Sequence, residues 1–549
     1  MNFSCKQIIL GRQMQNHADF KVVKKLRPRE HLKLMDAFSL NDSMRVGILS
    51  GLQRTGKTTL LKQWLQNLPY EEQSKAAYLS IDAEDMAAVT HDLRLLRDNG
   101  YKYIAIDEIT RCKDFIDRSD PLGNTFARSG MKIFITGTDS LAFWFASRDK
   151  LFNREMTLHT THIPFAEWSD LTDQRHLDDY IRFGGLLNRK ADQGDLEQNV
   201  QIPLTIDEIY QYIYSAICKN IQNSLKRCDN GIYAGVLEPF LQDDAMLEAI
   251  FNIFVYSTFQ EFIQQLDLSK RDQSLYNLDN KLASTIAEIA KVPFEDTAKH
   301  LEFTTRTDTE LNDTQFSELE QYLRHIQVFT LRPGIAFTPI NPTHDDFHRY
   351  NKINDSLNAQ NIAVQPRLRF ACANSLAELL DSYCEILGAD SKNKIKKIFL
   401  DGVYDLMQKD IVLAETMFEC KRYGMMNILD NWWPRYASLP ITAYRAIFPK
   451  SDKNAKDKEI SMIIENKQDQ KFYLVEIKHS SARIDTQSKC LLDNDVLNRI
   501  TPNSKEIPGR SVLYHNETCF EHGIKYVNIE DYLNILHREG IEAAIELLT

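Results

Sequence analysis

Residues 51–58 carry the residue types and the spacing needed to hold a triphosphate. Gly51 is followed after four residues by Gly56-Lys57-Thr58, which is the Walker A spacing. An apolar run precedes this stretch and a run with helical periodicity follows it, as a phosphate-binding loop requires. The glycines allow backbone N–H groups to converge on phosphate oxygens, and the N-terminus of the following helix adds its dipole.

The side chains of this loop predict a site for ATP and Mg²⁺. We expect Lys57 to reach the β- and γ-phosphates and the Thr58 hydroxyl to bind the magnesium ion. The predicted nucleotide-binding residues are Gly51, Leu52, Gln53, Arg54, Thr55, Gly56, Lys57, Thr58 and Thr59.

Two later apolar runs end in polar residues that would complete this site. The first ends in Asp107-Glu108. We expect Asp107 to bind Mg²⁺, directly or through water, and Glu108 to orient and polarise the attacking water. An acidic pair after a strand is usually a solvated turn, but the upstream Walker A motif favours the catalytic interpretation. The second run ends in Thr136-Gly-Thr138; Thr136 is the favoured residue for sensing the water or the γ-phosphate, and Thr138 is the alternative.

Length and composition limit the class of protein. A chain of 549 residues is too long for one core and predicts two to four domains. A net charge of −11 argues against a generic nucleic-acid binder, although one basic face remains compatible with it. Apolar runs are too short for a membrane span or a signal peptide, so we expect a cytoplasmic protein. The nine cysteines form no CxxC pair and lie near no His cluster, which argues against zinc and against a disulfide framework.

The order of apolar and helical runs predicts an α/β fold with three parts. Four apolar runs separated by helical stretches indicate a parallel sheet covered on both faces. Helical periodicity dominates the middle, where residues 278–328 suit a winged helix or, as the favoured alternative, a helical linker bundle. The apolar runs are 44–50, 76–81, 101–106 and 131–136. The predicted parts are a P-loop ATPase domain at 1–195, a helical region at 196–340 and a mixed α/β domain at 341–549.

The sequence resembles the archaeal-type AAA+ ATPases, a family of bacteria and archaea that carries a C-terminal restriction-endonuclease-like domain of unknown function. The resemblance implies a prokaryotic source. An ATP-driven switch or remodeller would usually form a nucleotide-dependent homo-oligomer. The resemblance also makes Arg154 a candidate nucleotide-sensing arginine, within one subunit or across a subunit interface; a solvent-facing arginine is the alternative. The similar segments are 51–63, 104–109, 133–140 and 152–168.

By the same resemblance, the last third contains the remnant of a nuclease site. Glu476 and Lys478 match the E-x-K half of the nuclease signature and share a strand face, and such a pair would bind a metal and assist the attacking water. Glu415 resembles the acidic residue of the first core helix. Ser461, however, stands where the family has its metal-binding Asp, and a hydroxyl is a weak ligand for a hard cation. Glu459 lies about 7 Å along the same strand face and is no obvious substitute.

These features predict a Mg²⁺-dependent ATPase that acts as a switch or remodeller on a DNA or protein partner. The C-terminal domain is expected to be degenerate and to recognise a partner. Two alternatives remain at the level of sequence: a nuclease gated by ATP, and a non-enzymatic interaction module that holds nucleotide for stability.

Overall fold

The computed structural model describes fourteen stretches of the chain, and most of the predicted helical middle falls outside them. A winged helix or helical bundle is expected at 278–328. Of this segment, only a helical turn at 319–324 and the residues 326–328 that follow it lie within the described residues. The described residues are 2–41, 44–82, 84–187, 206–218, 319–324, 326–338, 350–353, 361–374, 377, 392–426, 439–450, 457–479, 488–501 and 506–549.

Six strands form the sheet of the N-terminal half. They are β1 (Gln7–Leu10), β2 (Val46–Ser50), β3 (Ala76–Ser80), β4 (Tyr103–Asp107), β5 (Lys132–Thr136) and β6 (Glu155–His159). Their spatial order is β1-β3-β4-β5-β2-β6. Strands β2 to β6 run parallel, and β1 pairs antiparallel with β3 at the edge. The predicted parallel sheet is confirmed, and β2 to β5 are the four strands expected from the apolar runs.

Helices cover both faces of this sheet, which explains why its central strands are apolar throughout. The helices are α1 (Ala18–Val23), α2 (His31–Leu40), α3 (Lys57–Asn67), α4 (Tyr70–Gln73), α5 (Met86–Asp98), α6 (Phe115–Arg118) and α7 (Ser140–Arg148). On one face Trp64 of α3 packs edge-on against Phe134, with ring centroids 4.8 Å apart. Gly47 leaves room for the Phe134 ring, since a Cβ on Gly47 would lie 2.1 Å from that ring. On the other face α5 and α7 bury Leu93 and Phe143.

The C-terminal half is built on a long helix and a seven-stranded sheet. The elements between the halves are α8 (Phe165–Thr172), α9 (Leu177–Phe183), α10 (Ile206–Tyr212), β7 (Phe329–Leu331), β8 (Gly334–Ala336) and β9 (Asn361–Ala363). There follow α11 (Lys392–Met426), β10 (Ile441–Phe448), β11 (Lys458–Asn466), β12 (Lys471–Ile477), α12 (Asn494–Ile500), β13 (Glu506–Tyr514), β14 (Cys519–Glu521), β15 (Ile524–Asn528), α13 (Ile529–Glu539) and α14 (Ile541–Leu548).

The larger sheet has the order β14-β15-β13-β12-β11-β10-β8. Strands β10, β11 and β12 form an antiparallel meander, and β13 returns parallel to β12 after α12. The centre of this half is therefore a helix, three antiparallel strands, a helix and a parallel strand. This half therefore contains both strands and helices, as the sequence predicts for its last third.

One apolar core joins the two halves. Trp168 of α8 and Tyr180 of α9 belong to the same buried cluster as Phe399 of α11 and Val475 of β12. The predicted division at residue 195 therefore does not separate two independent cores, because α8 and α9 pack with the C-terminal half.

No helix in the described part of the chain is both long enough and apolar enough to cross a bilayer. The seven cysteines within the described residues are all free thiols.

Candidate nucleotide site

The loop between β2 and α3 has the backbone that a phosphate-binding turn requires. Gly56 has a φ of +85°, in the left-handed region that favours glycine. A Cβ on Gly51 would lie 2.3 Å from Thr160 Oγ1, so a larger residue there would displace neighbouring chain. The loop then opens directly into α3 at Lys57. Both glycines of the motif are therefore needed to form this turn.

The Lys57 ammonium is buried and is held by the loop's own carbonyl groups. Its Nζ donates to Gly51 O at 2.7 Å and to Leu52 O at 2.8 Å. Burial lowers the pKa of Lys57 to about 8, although the nearby Glu108 and Asp107 carboxylates act to raise it. A triphosphate would give this desolvated cation a charged partner in place of two neutral carbonyls, which strengthens binding.

Thr58 and Asp107 bring two oxygens together where magnesium is expected. Thr58 Oγ1 donates to Asp107 Oδ1 at 3.3 Å. Two ligands at right angles on Mg²⁺, each about 2.1 Å from the ion, would lie about 3 Å apart, so this pair fits two adjacent positions. Tyr78 OH donates to the other carboxylate oxygen at 2.7 Å and fixes its orientation. Tyr78 gave no signal in the sequence beyond its place on a strand.

Glu108, which follows Asp107 directly, lies on strained backbone. Its φ of +58° is unusual for a residue with a side chain, and such strain is common at functional sites. Burial and the neighbouring Asp107 carboxylate raise the pKa of Glu108. Thr138 Oγ1 donates to Glu108 Oε2 at 3.3 Å, and Arg111 Nε lies 3.7 Å from the same oxygen.

The two candidate sensor threonines differ in their surroundings. Thr138, the alternative, contacts the Glu108 carboxylate, whereas Thr136 ends β5 with no exposed surface. The Thr136 hydroxyl is buried and has no hydrogen-bond partner among the described residues. The structure therefore brings Thr138 to Glu108, and Thr136 is a buried hydroxyl without a hydrogen-bond partner among the described residues.

Arg29, a buried residue that the sequence did not single out, holds the phosphate-binding loop through hydrogen bonds. Arg29 Nη1 donates to Thr55 O at 2.8 Å and to Thr160 O at 2.7 Å. Its Nε and Nη2 donate to the two carboxylate oxygens of Glu167 at 3.0 and 2.9 Å. Burial alone would raise the pKa of Glu167, but the Arg29 guanidinium lowers it to about 2. This paired charge ties the loop to α8.

Two further segments close over the loop backbone. Leu187 N–H donates to Arg54 O at 2.9 Å, and Tyr212 OH donates to Gln53 O at 3.2 Å. Arg367 N–H in turn donates to Gly184 O at 3.2 Å, which links this cover to the C-terminal half. With Arg29, the phosphate-binding loop is therefore held by residues from three separate parts of the chain, Arg29, Leu187 and Tyr212.

Arg154 is not brought to this loop within one chain. It precedes β6, and its carbonyl accepts from Val46 N–H at the start of β2, whereas the loop follows the far end of β2. Four residues of strand, about 13 Å, separate the two edges. Its side chain is 47% exposed and lies 3.8 Å from Asp120. A sensing role would therefore have to act across a subunit interface.

Three of the C-terminal candidate residues, Ser461, Glu476 and Lys478, form a small cluster. Ser461 Oγ donates to Glu476 Oε2 at 2.8 Å, and Lys478 Nζ lies 3.6 Å from the same oxygen. Glu459 instead binds Arg445, with contacts of 2.6 and 2.8 Å. Glu476 is therefore the carboxylate of this cluster that lies beside Ser461 and Lys478, and Glu459 is drawn away to Arg445.

The expectation that Glu415 belongs to this cluster is wrong. The residue of α11 that interacts with Glu459 and Glu476 is Lys409, and Glu415 lies about 9 Å further along the helix axis. Glu415 faces the N-terminal half, where its Oε1 accepts from Phe165 N–H at 2.7 Å. Burial raises the pKa of Glu415 to about 8.

Replacing Arg29 with Lys should weaken ATP binding about tenfold and lower the melting temperature. A lysine keeps the charge but cannot reproduce the planar set of donors to Thr55, Thr160 and Glu167. The matched control is Arg27→Lys, because Arg27 pairs with Asp173 on the surface, where ion pairs contribute little. Equal ATP affinity in the two variants, measured by calorimetry, would show that Arg29 does not support the loop.

ATP affinity should depend on pH through Lys57. In the protein without nucleotide, the pKa of Lys57 is about 8, and bound phosphate would raise this pKa. The affinity for ATP should therefore be constant below pH 8 and fall by up to about tenfold per pH unit above pH 8. Titrations between pH 7 and 9.5 measure this slope. Lys57→Arg stays charged throughout this range and should lack it; the same slope in that variant would contradict the assignment to Lys57.

Several solved structures are similar to this chain at low sequence identity. The chain is 12% identical to C. elegans PCH-2 (TM-score 0.22), covering 41% of this chain and 66% of that one. It is 12% identical to S. cerevisiae Hsp104 in its ADP complex (0.24; 72% and 50%) and 13% identical to S. cerevisiae Hsp104 in an extended casein complex (0.25; 51% and 51%). The chain thus spans between half and just under two thirds of these structures, and such low TM-scores support no further argument.

No curated protein matches the chain. Residues 43–169, less than a quarter of the sequence, match a protein family described as an AAA domain. This match covers the phosphate-binding loop, Asp107-Glu108 and both candidate sensor threonines, Thr136 and Thr138. Residues 43–169 are therefore similar to an AAA domain.

Proposed function

We propose that the protein is a Mg²⁺-dependent ATPase that uses hydrolysis to switch or remodel a DNA or protein partner. The observation that carries this proposal is the meeting of Lys57, Thr58, Asp107 and Glu108 at the carboxyl ends of β2 and β4. A cation, a pair of oxygens suited to magnesium and a raised-pKa carboxylate are the parts that phosphoryl transfer to water requires.

Each residue has a role that follows from its contacts. Lys57 would exchange the carbonyls of Gly51 and Leu52 for phosphate oxygens, so it is already in place before nucleotide arrives. Thr58 and Asp107 would hold Mg²⁺, which neutralises charge that develops on the phosphates. Glu108 would accept a hydrogen bond from the attacking water, with Thr138 fixing its carboxylate.

The support of the loop offers a route from the nucleotide to the C-terminal half. Arg29 holds the loop, and the next residue, Glu30, lies 2.8 Å from His537 Nε2 on α13. At the start of α8, the Phe165 N–H donates to Glu415 on α11. A change in the loop on hydrolysis would therefore act on two helices that pack against the C-terminal sheet, which supports a switch rather than a passive nucleotide holder.

Glu108→Gln should bind ATP but lose turnover by at least about a hundredfold, because the amide cannot polarise water as a carboxylate does. Phosphate release and bound-nucleotide measurements, with and without duplex DNA, test this directly. Glu71→Gln, at an exposed position of the same domain, is the control and should keep full turnover.

Two outcomes would count against the proposal. Unchanged turnover in Glu108→Gln would remove Glu108 from the mechanism. If the wild-type protein binds ATP without hydrolysing it, the non-enzymatic interaction module is the better account. Stimulation by DNA would favour a DNA partner, and its absence would favour a protein one.

For the C-terminal half we propose partner recognition without nuclease activity. Its helix, three strands, helix and strand are compatible with the endonuclease-like core, but Glu476 is paired with Ser461 and Lys478, and Glu459 is paired with Arg445. With no second free carboxylate in this described cluster, Mg²⁺ has no adequate ligand set.

The protein should therefore not cleave DNA or RNA in the presence of Mg²⁺ or Mn²⁺, whether or not ATP is added. Gel assays with single- and double-stranded substrates measure this, and Glu108→Gln removes any indirect effect of ATP turnover. Cleavage that disappears in Lys478→Ala would instead establish the ATP-gated nuclease.

A further inference from the structure

Three potential metal ligands from the two halves of the chain meet at one point. His479 lies two residues past Ile477 of β12, and His515 lies two residues past Leu513 of β13. Ile477 and Leu513 are register partners in adjacent parallel strands, so the two imidazoles emerge side by side. Asp178 of α9, from the N-terminal half, approaches from the other side, and its Oδ1 lies 3.1 Å from His479 Nε2.

The spacing of these groups suits a single ion. One ligand atom from each of the three residues lies within 4.8 Å of the other two. Nitrogen and oxygen ligands about 2.0–2.2 Å from a metal lie about 3–4 Å from one another, so closure around an ion needs only a small side-chain movement.

Neighbouring residues orient both imidazole rings. His515 Nδ1 lies 3.0 Å from Glu530 Oε1, an arrangement that directs the other ring nitrogen toward a metal and raises its basicity. His479 stacks on Tyr404, with ring centroids 5.0 Å apart and planes at 14°. Gln408 donates its amide N–H to Lys478 O at 2.8 Å, and this turns its Oε1 toward His515 Nε2, also at 2.8 Å.

The site is sheltered yet reachable from solvent. The side chains of Asp178, His479 and His515 are 40, 25 and 20% exposed. Two imidazoles and one carboxylate form a ligand set that favours borderline divalent ions such as Zn²⁺ over Mg²⁺, which prefers oxygen. This set also differs from the oxygen pair of Thr58 and Asp107, so the two positions should select different ions.

We propose that Asp178, His479 and His515 bind one divalent first-row transition-metal ion, with the Gln408 amide oxygen available as a fourth ligand. Binding would replace the proton on His515 Nε2 that now faces Gln408. Because Asp178 belongs to α9 and both histidines follow strands of the large sheet, the ion would link the two halves directly.

The competing interpretation is a metal-free hydrogen-bond network. In that case His515 is protonated between Glu530 and Gln408, and His479 pairs with Asp178, so the same contacts hold the halves together without an ion. The two interpretations differ in whether the site takes up metal, which solution measurements decide independently of ATP hydrolysis.

The test uses the full-length, nucleotide-free protein after removal of metal with a chelator. Titration with Zn²⁺ against a chromophoric competitor, in excess Mg²⁺, should show one ion per chain. Co²⁺ should give visible d–d absorption with the same stoichiometry. His479→Gln and Asp178→Asn should each weaken Zn²⁺ binding by at least about tenfold, and Glu530→Gln should weaken it about 10–100-fold through the orientation of His515.

His522→Gln, which removes an exposed imidazole at the turn before β15, is the matched control and should bind Zn²⁺ as the wild type does. Zn²⁺ should also raise the melting temperature of the wild type and of this control, but not of His479→Gln. Absence of stoichiometric Zn²⁺ binding in the wild type, or wild-type affinity for Zn²⁺ in both Asp178→Asn and His479→Gln, would overturn the proposal. Asp178→Asn changes a 40% exposed side chain and keeps the test valid if a histidine variant does not fold.

Discussion

The nucleotide site depends on a buried cation held at one strand-to-helix turn. The Lys57 ammonium is buried away from water, and the carbonyls of Gly51 and Leu52 offset only part of the cost of that desolvation. The lowered pKa of Lys57 records the remaining cost. A triphosphate would give this cation a charged partner, so the loop favours an anion. The left-handed Gly56 and the contact of Gly51 with Thr160 are what make this turn attainable.

The same turn cannot be separated from the rest of the molecule. Arg29 connects it to Glu167 on α8, and α8 packs in the core that continues into α11 and the large sheet. Glu415 and His537 extend this contact into the C-terminal half. Since packed cores and paired buried charges change between discrete arrangements rather than deform continuously, the nucleotide state and the C-terminal half are expected to be coupled.

The sequence predicted the parts of the site that are local in the chain. The Walker A spacing, Asp107-Glu108 and the apolar runs of β2 to β5 each depend on neighbouring residues, so their pattern is visible without a structure. Arg29 was missed because its partners lie 26 to 138 residues away. Glu415 was misplaced because a helix residue's direction depends on how α11 packs, which no local pattern determines.

The cluster of Asp178, His479 and His515 could not be predicted from the sequence for the same reason. His479 and His515 are brought together by the register of two parallel strands, and Asp178 comes from a helix some 300 residues earlier. Cysteine spacing, the usual sequence sign of a zinc site, carries no information about such a cluster. The unexpected sharing of one core between α8, α9 and the C-terminal half has the same origin in long-range packing.

The most direct measurement of the central claim is a calorimetric titration of Mg²⁺-ATP into the folded protein, repeated with Lys57→Ala. The account predicts saturable binding of one nucleotide per chain in the wild type and little or no binding in the variant, with both proteins equally folded by circular dichroism. Absence of heat in the folded wild type, or the same affinity in Lys57→Ala, would contradict the assignment of this loop as a nucleotide site.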